Sequence, residues 1–137
     1  MTPLFLDTSV VLDALGAVGP LRDASRHVMD HAQSGRVRLH LAAESVQEVL
    51  FHRMRRVDRP LALEQTEVIR ALCVVHRLDD VVIDRAMDLV ASTRARGREA
   101  FIAATALEAG FDTVVTTDER FVAVPGLRPL HPRDVAT

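Results

Sequence analysis

The stretch PLFLDTSVVLDAL, residues 3 to 15, decides the fold. PLFL is an apolar run of strand length, Asp7, Thr8 and Ser9 are all good helix N-cap types, and VVLDAL places its apolar residues on one helical face. The order is therefore strand, tight turn, helix. An acidic residue directly after a buried strand has two uses: its carboxylate caps the helix or holds a metal.

Working outward, the same alternation continues. GAVGP (16 to 20) breaks the first helix, and Leu21, Ala24, Val28, Met29 and Ala32 recur near the 3.6 period, predicting a helix from Leu21 to about Ser34 that ends at Gly35. VRLHLA (37 to 42) alternates apolar and polar and reads as the second strand. AESVQEVLFHRMRRV then carries Val46, Val49, Leu50, Met54 and Val57 at helical spacing, with Pro60 closing that helix. Two more helices are expected over Leu61 to Val75 and Val81 to Arg96, the latter with Ile83, Met87 and Val90 on one stripe. REAFIAATALEAG (98 to 110) is alanine-rich, helical and glycine-terminated. TVVT follows as a strand ending in a second acidic turn, and Leu127 to Leu130 forms the last short strand. Strands alternating with helices, without hairpin turn signals, predict an α/β fold with a parallel sheet of about four or five strands covered on both faces.

The chain has 137 residues, the size of one domain, with no internal repeat or linker. Its formal net charge of -2 excludes a basic coat of the kind that binds any duplex, so a nucleic-acid contact must be local. The single cysteine, Cys73, has no disulfide partner and reads as a small core residue. No basic leader and no 18-residue apolar run are present, so the expectation is a soluble cytoplasmic protein without a membrane span.

In an open parallel sheet, ligands bind beyond the carboxyl ends of the strands, and Asp7 and Asp118 fall at two such ends. Glu48, early in the helix after the second strand, and Glu99, at the start of the alanine-rich helix, are placed to join them. Four carboxylates together repel without a counter-charge, which a hard divalent cation such as Mg²⁺ or Mn²⁺ supplies through oxygen ligands. Each acid also has a purely structural reading. Asp7 suits an N-cap, Ser45-x-x-Glu48 matches the capping box, Glu99 suits the helix dipole, and Asp118 suits the cap of a turn through Glu119 and Arg120. The joint pattern, each acid beside an apolar segment that positions it, favours chemistry.

FLDTSVVLDAL, SVQEVL, EAFIAATALEAG and VVTTDERF, in this order and separation, resemble the PIN-domain nucleases and especially their small VapC-type toxins. The most specific piece is the acid followed by A-x-I-A-A-T-A-L and then T-x-D-x-x-F, here Thr116, Asp118 and Phe121. The resemblance covers nearly the whole chain and implies a three-layer α/β/α PIN-like domain. It makes Asp7, Glu48, Glu99 and Asp118 a catalytic quartet binding Mg²⁺ or Mn²⁺, supported by hydrogen bonds from Thr116 and Ser9. Glu99 departs from the aspartate usual there, and its added methylene, about a bond length, implies weaker or Mn²⁺-favouring catalysis.

The activity implied is metal-dependent endoribonuclease cleavage of RNA by in-line attack of an activated water on phosphorus. HRMRR, including Arg53 and Arg56, and RARGR, including Arg96 and Arg98, flank the predicted site as phosphate contacts. The resemblance also implies a cognate VapB-type antitoxin and a homodimer. The alternative is a PIN-like module weakened in catalysis that binds RNA or a protein partner without cleaving. With no Trp, no Tyr and five Phe, a base-stacking platform is not expected.

Other constellations carry less. His27 and His31 have the i, i+4 spacing of a zinc pair, but Val28 stands where metalloproteases carry glutamate. The complete absence of lysine argues against aspartyl-phosphate enzymes and P-loop NTPases, and no G-x-S-x-G exists for an α/β-hydrolase.

Overall fold

The computed structural model describes residues 1–136. Five strands form one parallel sheet in the order β3-β2-β1-β4-β5. They are β1 (Thr2–Leu6), β2 (Val37–Ala42), β3 (Cys73–His76), β4 (Thr113–Val115) and β5 (Arg128–Leu130). The helices are α1 (Thr8–Leu15), α2 (Pro20–Gln33), α3 (Ala43–Met54), α4 (Arg59–Leu72), α5 (Asp80–Ser92) and α6 (Gly97–Glu108).

The pleat of β1 sorts the core into two. Leu4 and Leu6 point to one face, where they join Val10 and Val11 of α1, Val28 of α2, Val49 of α3 and Ile69 of α4. Phe5 points to the other, against Val82 and Ala86 of α5 and the alanines of α6. β1 is paired on both edges with β2 and β4 and covered on both faces by helices, so Phe5 and Leu6 have no exposure at all. The result is the three-layer α/β/α arrangement expected from the alternating pattern. Among the described residues, no helix is long and apolar enough to cross a membrane.

Three predicted elements are corrected. The helix expected over Leu61 to Val75 stops at Leu72, and Cys73–His76 forms an edge strand paired in parallel with β2, Leu39 against Cys73 and Leu41 against Val75. Pro60 does not close α3; it sits in the first turn of α4, where its missing N–H costs nothing, while Asp58 caps that helix by accepting from the Leu61 amide at 2.8 Å. The helix expected to reach Arg96 ends at Ser92, and Arg96 instead occupies the N-cap of α6.

Candidate active site

The chain runs outward from β1 to β2 and β3, then returns to place β4 on the other side of β1. This reversal opens a crevice at the carboxyl ends of β1 and β4. The backbone there is pinned: the Asp7 amide donates to Val115 O at 2.8 Å, and the Thr116 amide to Leu130 O at 2.9 Å. Asp7, Glu48, Glu99 and Asp118, brought from four separate segments, line one cleft of about 440 Å³ in this crevice. Arg96, Arg98 and Arg120 line it as well.

Asp7 occupies the N-cap position of α1, yet its carboxylate makes no capping hydrogen bond. Its Oδ2 instead accepts from the hydroxyls of Ser9 at 2.7 Å and Thr116 at 2.8 Å. Burial pushes the Asp7 carboxyl above the ordinary carboxylate range, against the opposing pull of those hydroxyls. The Thr116 hydroxyl also accepts from the Asp118 amide at 3.1 Å, so one side chain ties the two strand-end acids together. Ser9 Oγ accepts from the Thr117 amide, closing the same network.

Glu48 escapes its structural reading. The helix α3 begins at Ala43, too early for Ser45 to cap it, and Ser45 Oγ accepts from Thr8 Oγ1 at 2.7 Å. The Glu48 carboxylate is left in the cleft with an Arg98 guanidinium at 3.7 Å. Burial raises its pKa, Arg98 opposes this, and the nearby charge of Asp7 adds to the rise.

Glu99 behaves differently. Its Oε1 accepts from the Arg96 amide at 3.2 Å and the Arg96 Nε at 2.8 Å, and its Oε2 accepts from the Val122 amide at 3.0 Å. Burial alone would raise its pKa, but Arg96 and the two backbone donors hold it below the ordinary range. Asp118 Oδ1 accepts from the Arg120 amide at 2.9 Å, the turn cap anticipated for it, while Oδ2 lies 3.6 Å from Arg96 Nη2.

These environments decide what could bind a cation. Asp7 and Glu48 present hard oxygens, desolvated and mutually repelling, which suits Mg²⁺ or Mn²⁺. Glu99 differs from them in that both of its oxygens also accept hydrogen bonds from the protein, Oε1 from Arg96 and Oε2 from the Val122 amide. Among the described residues, no group of three potential ligands stands together as a formed metal site. His27 Nε2 and His31 Nε2 face each other at 2.9 Å as hydrogen-bond partners.

A PIN domain matches residues 4–127. The chain belongs to the PIN domain family. No curated protein matches the chain in sequence. Solved structures share the fold at low identity. VapBC from Salmonella typhimurium, bound to DNA, is 19% identical with a TM-score of 0.76, covering 96% of this chain and 99% of that one. VapBC2 from Rickettsia felis, bound to a DNA fragment from its promoter, is 12% identical with a TM-score of 0.75, covering 95% and 98%. The Mycobacterium tuberculosis VapC20, a Sarcin-Ricin loop cleaving toxin, is 15% identical with a TM-score of 0.69, covering 86% and 92%.

In this PIN domain the arginines expected to hold phosphate divide. Arg96 and Arg98 line the acidic cleft, and Arg56 lines an adjoining one. Arg53 does neither: it is 7% exposed and donates its Nε to Gln65 Oε1 at 2.9 Å, so it joins α3 to α4. Two contributors were not foreseen. Arg120 reaches the cleft from the turn after Asp118, and Thr117 donates its hydroxyl to Asp13 of α1, fastening that turn to the first helix. Position two residues after a strand-end acid was the available signal for Arg120.

Proposed function

We propose that this PIN domain is a divalent-metal-dependent endoribonuclease, the toxin of a VapBC-type pair, acting as one domain in the cytoplasm. The observation that carries the reading is the cleft itself: four acids from four segments meet at the sheet's switch point, with three exposed arginines beside them. An acidic floor under cationic walls suits a phosphodiester held over a metal. The fold shared with VapBC structures supports a VapB-type antitoxin as partner, and a homodimer is part of the same proposal.

In this reading Asp7 and Glu48 would hold Mg²⁺ or Mn²⁺, with Asp118 on the same cleft completing the oxygen donors. The bound cation would supply the charge that activates water and stabilises the departing oxygen. The chain's own part is positioning. Ser9 and Thr116 hold Asp7 in one orientation through Oδ2, at the wall of the cleft. Arg98 and Arg120, exposed and long, grip the flanking phosphates of RNA. Glu99 keeps the N-terminus of α6 and the Asp118 turn at fixed separation through Arg96 and Val122.

The Arg96 and Val122 donors already on Glu99 favour a second reading, a binding module with weak or no cleavage. One experiment separates the two. The purified, partner-free protein is incubated with a cellular RNA pool in Mg²⁺, Mn²⁺ or EDTA, beside Asp7→Asn and Glu99→Asp. The nuclease reading expects metal-dependent cutting that Asp7→Asn abolishes. Silence from the folded protein and from Glu99→Asp with every metal would sink it in favour of the binding module.

A further inference from the structure

Phe51 is the feature that the acidic cleft leaves unexplained. Phe5 and Phe121 are buried, and Phe101 and Phe111 pack against the core, whereas Phe51 is 63% exposed. It lies on α3 three residues after Glu48, so the two side chains share one side of the helix. There it lines a second cleft of about 400 Å³ with Arg55 and Arg56, and this cleft shares Glu48 and Arg98 with the acidic one. The two adjoin.

The chemistry around the ring selects its occupant. The Arg55 guanidinium lies 5.5 Å from the Phe51 centroid, a cation over one face of an otherwise exposed ring. Three arginines around a single flat apolar surface suit a ligand that is anionic and aromatic at once. A nucleotide has both properties: the base stacks on the ring and its phosphate meets the guanidinium groups. An aliphatic protein segment would satisfy the ring and leave Arg55 and Arg56 without anions.

We propose that Phe51, with Arg55 and Arg56, forms a nucleobase-stacking subsite adjoining the acidic cleft, so that single-stranded RNA is held by a base next to the phosphate being cleaved. The subsite rests on the nuclease reading and names how the substrate is held. It replaces the expectation that a chain so poor in aromatics stacks no base: one exposed ring beside the cleft is enough for one nucleotide.

The test uses the full chain carrying Asp7→Asn to prevent cleavage, and a short single-stranded RNA containing 2-aminopurine. The absence of Trp and Tyr makes the probe's fluorescence readable without protein background. Binding should quench the probe. Adding Phe51→Leu should weaken binding about 10-fold and remove most of the quenching, while Phe51→Trp keeps both. Equal binding and quenching by the Phe51→Leu and Phe51 forms would overturn the subsite and assign the ring to a protein partner. The underlying reading fails separately, when wild-type protein cuts no RNA with Mg²⁺ or Mn²⁺ and the Asp7→Asn chain binds none; that outcome overturns the subsite too.

Discussion

The hydroxyl of Thr116 donates to Asp7 Oδ2 at 2.8 Å, joining residues 109 apart in sequence at the ends of adjacent strands. Because Thr116 is 4% exposed, water does not replace that bond when it is lost. Thr116→Val keeps the shape and removes the donor. RNA cleavage should fall about 10- to 100-fold, the range typical of groups that orient a metal ligand, with circular dichroism unchanged. A variant as active as the parent would show that Asp7 needs no such support.

Asp7 and Glu48 both have raised pKa values, burial being the larger cause in each. The sign follows directly: their ionised, ligating forms are lost at a higher pH than for ordinary carboxylates. Mn²⁺ affinity, measured by calorimetry across pH 4.5 to 7.5, should decline before the ordinary carboxylate range is reached. A raised folded pKa also means that the ionised acid opposes folding at neutral pH. Glu48→Gln should therefore raise Tm while abolishing metal binding, the stability cost of a functional site.

Glu99 makes the opposite prediction. It contributes stability that is full above the unfolded pKa and is lost as pH falls through its depressed folded value. Glu99→Ala leaves the Val122 and Arg96 amides without their acceptor and should cost about 2 kcal/mol in urea unfolding at pH 7, with the loss shrinking in acid.

Arg98 stands 3.7 Å from Glu48 with its side chain 78% exposed, so its contribution to stability is small. Arg98→Ala should instead raise KM for RNA with little change in kcat, and lower the slope of log affinity against log salt by about 1. A change in kcat alone would place Arg98 at the reacting phosphate.

At the far edge of the sheet, His40 Nδ1 and His76 Nε2 lie 2.8 Å apart. One neutral ring donates and the other accepts, and protonating both leaves two donors facing each other. Burial lowers both pKa values, with His76 and Arg38 adding to the effect on His40. Their contribution is thus complete above about 6.5, the ordinary histidine value, and is lost as pH falls through the folded ones. Tm should drop between pH 7 and 5, less steeply in His40→Gln.

The sequence by itself determined the layered α/β fold, because hydrophobic period and cap chemistry are local. β2 was legible to the residue, since VRLHLA alternates between two bounded turns. β3 was not: Leu72 to Val75 continues an apolar helical run without Gly or Pro, and the β-branched pair Val74-Val75 was the only warning. Only pairing with β2 made it a strand. The acids divide along the same line. Their convergence followed from strand ends and order, but Glu48 and Glu99 carry the same local signature of an acid near a helix start. The tertiary structure gives them different partners. Thr8 takes the hydroxyl that would have paired with Glu48 in a cap, and Val122 brings the amide that occupies Glu99. Thr8 and Val122 come from distant segments, whereas Arg96, which gives Glu99 its other two donors, lies three residues away; a buried carboxylate goes to whichever donors the fold delivers.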